Sequence, residues 1–142
     1  MDQLFAMSNA FAAVGWLLLI AAPNWRWTDR LVLSGFWSVA LAVVYLVLVA
    51  MFLPAAEGGF SSIAGVRMLF ASDALLTAGW VHYLAFDLFV GATEARMARR
   101  HGIPHIVMIP ILLATFMLGP IGLLAFFVAK SIREGRAAEV ME

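Results

Sequence analysis

Four long apolar stretches, parted by short polar connections, constrain this chain more than any other feature. Each covers roughly the 20 residues that a helix needs to cross hydrocarbon. Backbone N–H and C=O groups find no water there, so such stretches must satisfy their hydrogen bonds internally, as helices. The windows are about 4–22, 31–53, 74–92 and 104–129. Composition agrees: 64% of the residues are hydrophobic and 13% charged, whereas soluble domains are roughly half apolar and a quarter charged. A soluble core of 142 residues could not hide so much apolar surface. The expected fold is therefore all-α: one membrane domain over residues 1–142, built as an integral membrane four-helix bundle. The tail, Lys130 to Glu142, is mixed in charge and expected to fray.

Several function classes drop out. Net charge is zero, so nothing draws the chain to nucleic acid. There is no cysteine, hence no disulfide, thiolate metal site or cysteine nucleophile. Met1-Asp2-Gln3 has no basic character, and the apolar run after it has no small-residue cleavage site. The first window is expected to be a retained span.

Along the chain, Ser8 and Asn9 fall within the first span, where an amide usually bonds a neighbouring helix. Pro23 stops that span. Trp25 and Trp27 suit the headgroup level, and Thr28 or Asp29 can cap the second span. Ser34, Ser38 and Ala42 repeat at helical spacing and predict a close-packed seam. Pro54, Gly58 and Gly59 form a loop. Ser61 or Ser62 can then cap a short helix from Ile63 to Ala71, with Ile63, Val66 and Phe70 on one side and Arg67 beside them. Too short to span, it should lie in the interface between spans two and three. It is either a surface anchor or a lid over the entrance for a lipid-soluble substrate.

The third span carries the chemistry. Ionisable groups inside a span are costly and are functional candidates by default, and this one holds His82 and Asp87. At about 100° per residue, Trp80, Leu84, Asp87, Gly91 and Glu94 share one sector. Gly79, His82, Phe86, Phe89 and Thr93 share another. Val81, Ala85, Leu88 and Ala92 make a third, with no polar group. His82 and Asp87 are thus on different faces, and each should meet its own partner, or a third group should come between them. Ser8 or Asn9 could bond His82.

The connection from Thr93 to His105 is the most charged. It reads as a headgroup-facing loop, or as the source of an arginine that neutralises Asp87 or Glu94. Pro104 fits the first position of the fourth span, with His105 in its first turn. Pro110 and Gly119-Pro120 should kink that span. Lys and Arg divide almost evenly between the two sides of a four-span bundle. Arg26, Arg30, Arg96, Arg99 and Arg100 fall on one side, and Arg67, Lys130, Arg133 and Arg136 on the other. Orientation is then undecided, with a lean to both termini outside the cytoplasm.

The runs Asn24-Trp25-Arg26-Trp27-Thr28-Asp29-Arg30, Gly58 to Arg67, Gly79 to Leu88 and Arg100-His101-Gly102-Ile103-Pro104-His105 resemble the abscisic-acid-deficient-four-like family of small four-helix membrane proteins. The likeness covers residue 1 to about Lys130. Plant members are needed for neoxanthin formation from violaxanthin in plastid membranes, so the resemblance implies a carotenoid or another long isoprenoid as ligand. The chain lacks a transit peptide and reads as a bacterial relative in the inner membrane. The matching positions are His82, Asp87, Arg67, His101 and His105.

Three functions fit. The first is an enzyme, of isomerase or oxidoreductase type, that modifies a polyene held between the third and fourth spans. Trp37, Trp80, Tyr83, Phe86 and Phe116 would wall it, with Asn9 as a further contact. His82, with its unperturbed pKa near 6.5, and Asp87 would serve as acid and base. Arg67, Glu94, His101 and His105 would support them. Non-haem iron held by some of His82, Asp87, Glu94, His101 and His105 is a variant, although their spacing matches no standard metal motif. The second function is a non-catalytic carotenoid-binding or accessory protein. The third is a small transporter subunit, which with four helices would need a homo-oligomer.

Overall fold

The computed structural model describes residues 1–139, all helix and connections. Helix α1 is Asp2–Ala21, α2 Phe36–Phe52, α3 Ile63–Leu69, α4 Asp73–Arg100, α5 His105–Leu118 and α6 Pro120–Glu139. Three are long and apolar enough to cross a membrane: α1, α2 with the turn after it, and α4. Ser62 caps α3, accepting from the Gly65 N–H at 3.0 Å, as its sequence predicts. The start of α2 differs. Thr28–Leu33 winds as one π turn, and Thr28 bonds back to the Ala22 carbonyl instead of capping forward. Pro104 sits one place earlier than expected, as the N-cap of α5.

Helix α4 is the axis. Its most buried face is the non-polar one: Val81, Leu88 and Ala92 are each 0% exposed. This stripe packs into the core between α1 and α2. The two polar faces therefore look to either side of the core. Helix α1 runs parallel to α4. Asn9 bonds Trp80, Trp16 packs on Gly91, and Pro23 takes a bond from Arg99. Helix α2 runs antiparallel, with Tyr45 against His82. Thr93 to Arg100, expected as a loop, continues α4. Hydropathy falls there, but Ala, Glu, Arg and Met are strong helix formers, and no glycine or proline intervenes before Gly102.

The larger correction concerns residues 104–129, which are not one kinked span. Helix α5 has 14 residues, about 21 Å at 1.5 Å per residue, against about 30 Å of hydrocarbon. It ends at Gly119 (φ 39°, ψ −90°), a backbone state that side chains rarely adopt. Pro120 then opens α6, and the chain doubles back. A Cβ at Gly122 would collide with the backbone of Thr115, so only glycine lets α6 lie so close on α5. Both outer ends of this hairpin meet the end of α4. His101 Nδ1 is 3.2 Å from Glu134 Oε1, and Gly102 lies against the Arg133 guanidinium. The tip reaches Asp87, midway along α4. Helix α6 carries on through Glu139 where fraying was expected; Val140 to Glu142 lie outside the described residues.

The hairpin regroups the charges. Arg26, Arg30, Arg96, Arg99, Arg100, Lys130 and Arg133 all stand at one end of the bundle. Among the described residues, Arg67 is alone at the other, with Asp2, Glu57 and Asp73.

Candidate functional site

The two ionisable residues of α4 occupy separate environments. His82 faces α2 and the segment around α3. Its ring lies 5.3 Å from that of Tyr45 and 4.6 Å from that of Phe86, centroid to centroid. It opens on a cavity of about 280 Å³ whose walls include Tyr45, Val49, Phe60, Phe70 and Gly79. Phe60 and Phe70 flank α3, so this short helix roofs the cavity. Phe70 comes down onto Gly79, where a Cβ would stand 2.8 Å from its ring. The cavity is aromatic and aliphatic, with the His82 imidazole and Tyr45 hydroxyl as its polar groups. Such a site suits an apolar ligand oriented by few polar contacts. Neither Ser8 nor Asn9 reaches His82, which takes part in none of the side-chain hydrogen bonds among the described residues. Asn9 instead accepts from Trp80 Nε1 at 2.9 Å and donates to the Phe5 carbonyl.

Asp87 belongs to the other face. Its carboxylate lies against Gly119 at the hairpin tip; a Cβ there would be 2.9 Å from Oδ1 and 3.2 Å from Oδ2. Tyr83, one turn earlier, donates to the Phe116 carbonyl at 3.1 Å. Two turns on, Glu94 is 1% exposed and accepts from Thr115 Oγ1 at 2.9 Å. Asp87 Oδ2 and Glu94 Oε1 are buried without partners among the described residues. Among the described residues no arginine neutralises either. Arg96 bonds the Leu33 carbonyl and Thr93. Arg99 pairs with Asp29 at 2.7 Å and bonds the Pro23 carbonyl. The sector that joined Asp87 to Glu94 in the sequence is thus the docking face for the hairpin.

The expected aromatic wall does not form as one surface. Trp37 stacks on Phe11 at 4.3 Å and donates to its carbonyl at 2.7 Å, between α1 and α2. Trp80 packs with Phe5 and Tyr83, and Phe116 with Trp16. Phe86 alone of the five joins His82. Arg67 is exposed on α3. His101 pairs with Glu134, and His105 Nε2 is 2.8 Å from the Ile20 carbonyl. His82, Asp87, Glu94, His101 and His105 do not converge, and no group of three or more potential ligands stands together among the described residues. The short helix α3 beside the cavity was legible from its serine cap and the spacing of Ile63, Val66 and Phe70. Tyr45 was missed, because a lone tyrosine in an apolar run carries no periodic signal.

A sequence model of the family described as ABA4-like (ABA DEFICIENT 4-like) matches residues 3–126. No curated protein and no solved structure matches the chain.

Proposed function

The chain belongs to the ABA DEFICIENT 4-like family, and from that premise we propose that it is a membrane-embedded protein that binds and modifies a carotenoid or related long isoprenoid. The observation that carries this reading is the cavity under α3, apolar except for His82 and Tyr45. In this reading an end group of the ligand enters beneath α3, and His82 is the proton-transfer group. An imidazole free of other hydrogen bonds can give a proton to a ligand oxygen and take one from a neighbouring carbon. A C–O bond then opens, a double bond forms, and mass is unchanged. Asp87 and Glu94, away from the cavity, hold the hairpin against α4.

The same proposal covers topology. Helices α1, α2 and α4 cross the bilayer, and α5–α6 enters and leaves on one side. Cytoplasmic flanks carry the excess of Lys and Arg, so the basic end faces the cytoplasm, in a bacterial host the inner side of the inner membrane. A non-catalytic carotenoid-binding role is the second reading. It is favoured by the distance of both buried carboxylates from the cavity.

The test is to express the chain in hosts that make defined carotenoids and to profile extracted pigments by chromatography and mass. A new pigment of unchanged mass, lost in His82→Ala at equal protein level, is expected. An unaltered profile in every host, with the protein in the membrane, would leave only the binding role.

A further inference from the structure

We propose that Arg26 and Arg30, gathered at the ring of Trp27, form a site for the phosphate of an anionic phospholipid at the basic end of the bundle. The site lies in a different part of the molecule from the His82 cavity and does not depend on what that cavity binds.

The segment after Pro23 carries these three residues on a turn that is fastened from within. Thr28 is 0% exposed and donates to the Ala22 carbonyl at 2.7 Å. Val32 and Leu33 are buried in the core, and Asp29 receives Arg99 from α4. Trp25, Arg26, Trp27 and Arg30 are left on the outside, all exposed. The guanidinium carbons of Arg26 and Arg30 stand 5.6 and 5.8 Å from the centre of the Trp27 ring, within the range of a cation–π contact. Four residues apart, the two arginines are also neighbours along the helical turn.

Two like charges one turn apart repel, and the fold supplies no carboxylate to offset them. Asp29 pairs with Arg99, and Glu134 lies between His101 and Lys130. Glu94 is buried against Thr115. Among the described residues neither Arg26 nor Arg30 takes part in a salt bridge or a side-chain hydrogen bond. The Trp27 ring attracts both cations without filling their N–H forks, whose geometry matches the oxygens of a phosphate. A pair of guanidiniums on a rigid turn, with forks open and no counter-ion, is an anion site by charge and by shape.

Depth selects the anion. Helix α1 has 20 residues, about 30 Å at 1.5 Å per residue, which is the thickness of the hydrocarbon. The turn comes just beyond its end and so lies among the headgroups, the level that exposed tryptophans such as Trp25 and Trp27 also favour. The anion at that depth is lipid phosphate. A zwitterionic lipid brings a cation of its own beside the phosphate, whereas an anionic lipid does not. Two guanidiniums therefore favour the anionic one, and basic clusters at a membrane flank attract such lipids.

The test uses the full chain in micelles of an uncharged detergent, titrated with phosphatidylglycerol or phosphatidylcholine, with bound lipid counted by native mass spectrometry. The wild type should bind phosphatidylglycerol the more tightly. Arg26→Gln with Arg30→Gln should weaken phosphatidylglycerol about 30-fold, at about fivefold for each basic residue facing an anionic lipid, and leave phosphatidylcholine unchanged. Arg100→Gln with Arg133→Gln removes the same charge at the same end from outside the pair and should matter far less. Trp27→Leu removes the ring but no charge, and should also weaken phosphatidylglycerol. All five side chains are exposed, and circular dichroism checks that each variant is folded. Equal losses in the two arginine pairs, with Trp27→Leu harmless, would mean diffuse attraction and overturn the site. Equal affinity of the wild type for both lipids would overturn it too, leaving the arginines to solvent or to an acidic partner protein. Inorganic phosphate that displaces phosphatidylglycerol at equal concentration would assign the pair to the free ion and overturn the lipid as its occupant.

Discussion

Replacing Gly119 by alanine tests the hairpin at its turning point. Two costs are expected. Its positive φ costs a residue with a side chain about 1–3 kcal/mol. The new Cβ would also stand 2.9 Å from Asp87 Oδ1 and 3.2 Å from Oδ2. The carboxylate is the end of a short side chain on a packed helix, so relief requires the tip to withdraw. Overpacking of this kind costs about 1–3 kcal/mol. The two together make a loss of about 2–6 kcal/mol. Asp87→Ala removes the obstruction and leaves the backbone strain, so in the double variant the second cost should vanish. A double-mutant cycle should return a coupling of about 1–3 kcal/mol, well above the few tenths seen between independent sites. Equilibrium unfolding in mixed micelles, followed by tryptophan fluorescence, measures all four corners. Strict additivity would refute the contact between Asp87 and the tip. A harmless Gly119→Ala would refute the turn itself.

Because the chain has no cysteine, single cysteines report sidedness without background. Asn24→Cys and Ser131→Cys should react with a membrane-impermeant reagent from the cytoplasmic side, and Ser61→Cys from the opposite side; labelling of Ser131→Cys together with Ser61→Cys would restore four spans. Thr115→Val strips Glu94 of its one hydrogen bond and should destabilise the fold by about 1–3 kcal/mol, with Thr115→Ser much milder, read by thermal stability in detergent. His82→Ala should keep protein level and lose pigment conversion. Asp87→Asn should change level more than conversion per molecule, and the reverse pattern, by immunoblot and pigment yield, would return Asp87 to the chemistry.

The separation of His82 from Asp87 was legible in the sequence because five residues at about 100° each cannot put two side chains on one face. The same arithmetic placed Glu94 with Asp87, although hydropathy alone consigned it to a loop. The hairpin was not legible. Residues 104–129 are uniformly apolar, and length alone reads them as one span. Gly119-Pro120 marks a break, since proline begins helices more readily than it continues them. Yet a break fixes neither the angle nor the sense of the turn; the close approach of Gly122 to Thr115 sets that, and it is a pairing across seven residues. The single aromatic wall failed for a related reason. Aromatic content says what lines a helix, whereas the partner of each ring depends on which neighbour lies beside it.

The fold-back also bears on how the membrane form is made. Lys130, Arg133 and Glu134 follow the apolar stretch closely. A fourth crossing would require hauling them through hydrocarbon, at about 2.5–3.5 kcal/mol for each Lys or Arg passing the midplane on insertion scales. In the topology proposed above they stay on the side where they are synthesised, and only residues without a full charge travel inward as far as Asp87. Insertion of α5 and α6 can then wait until α4 is in place to receive the tip.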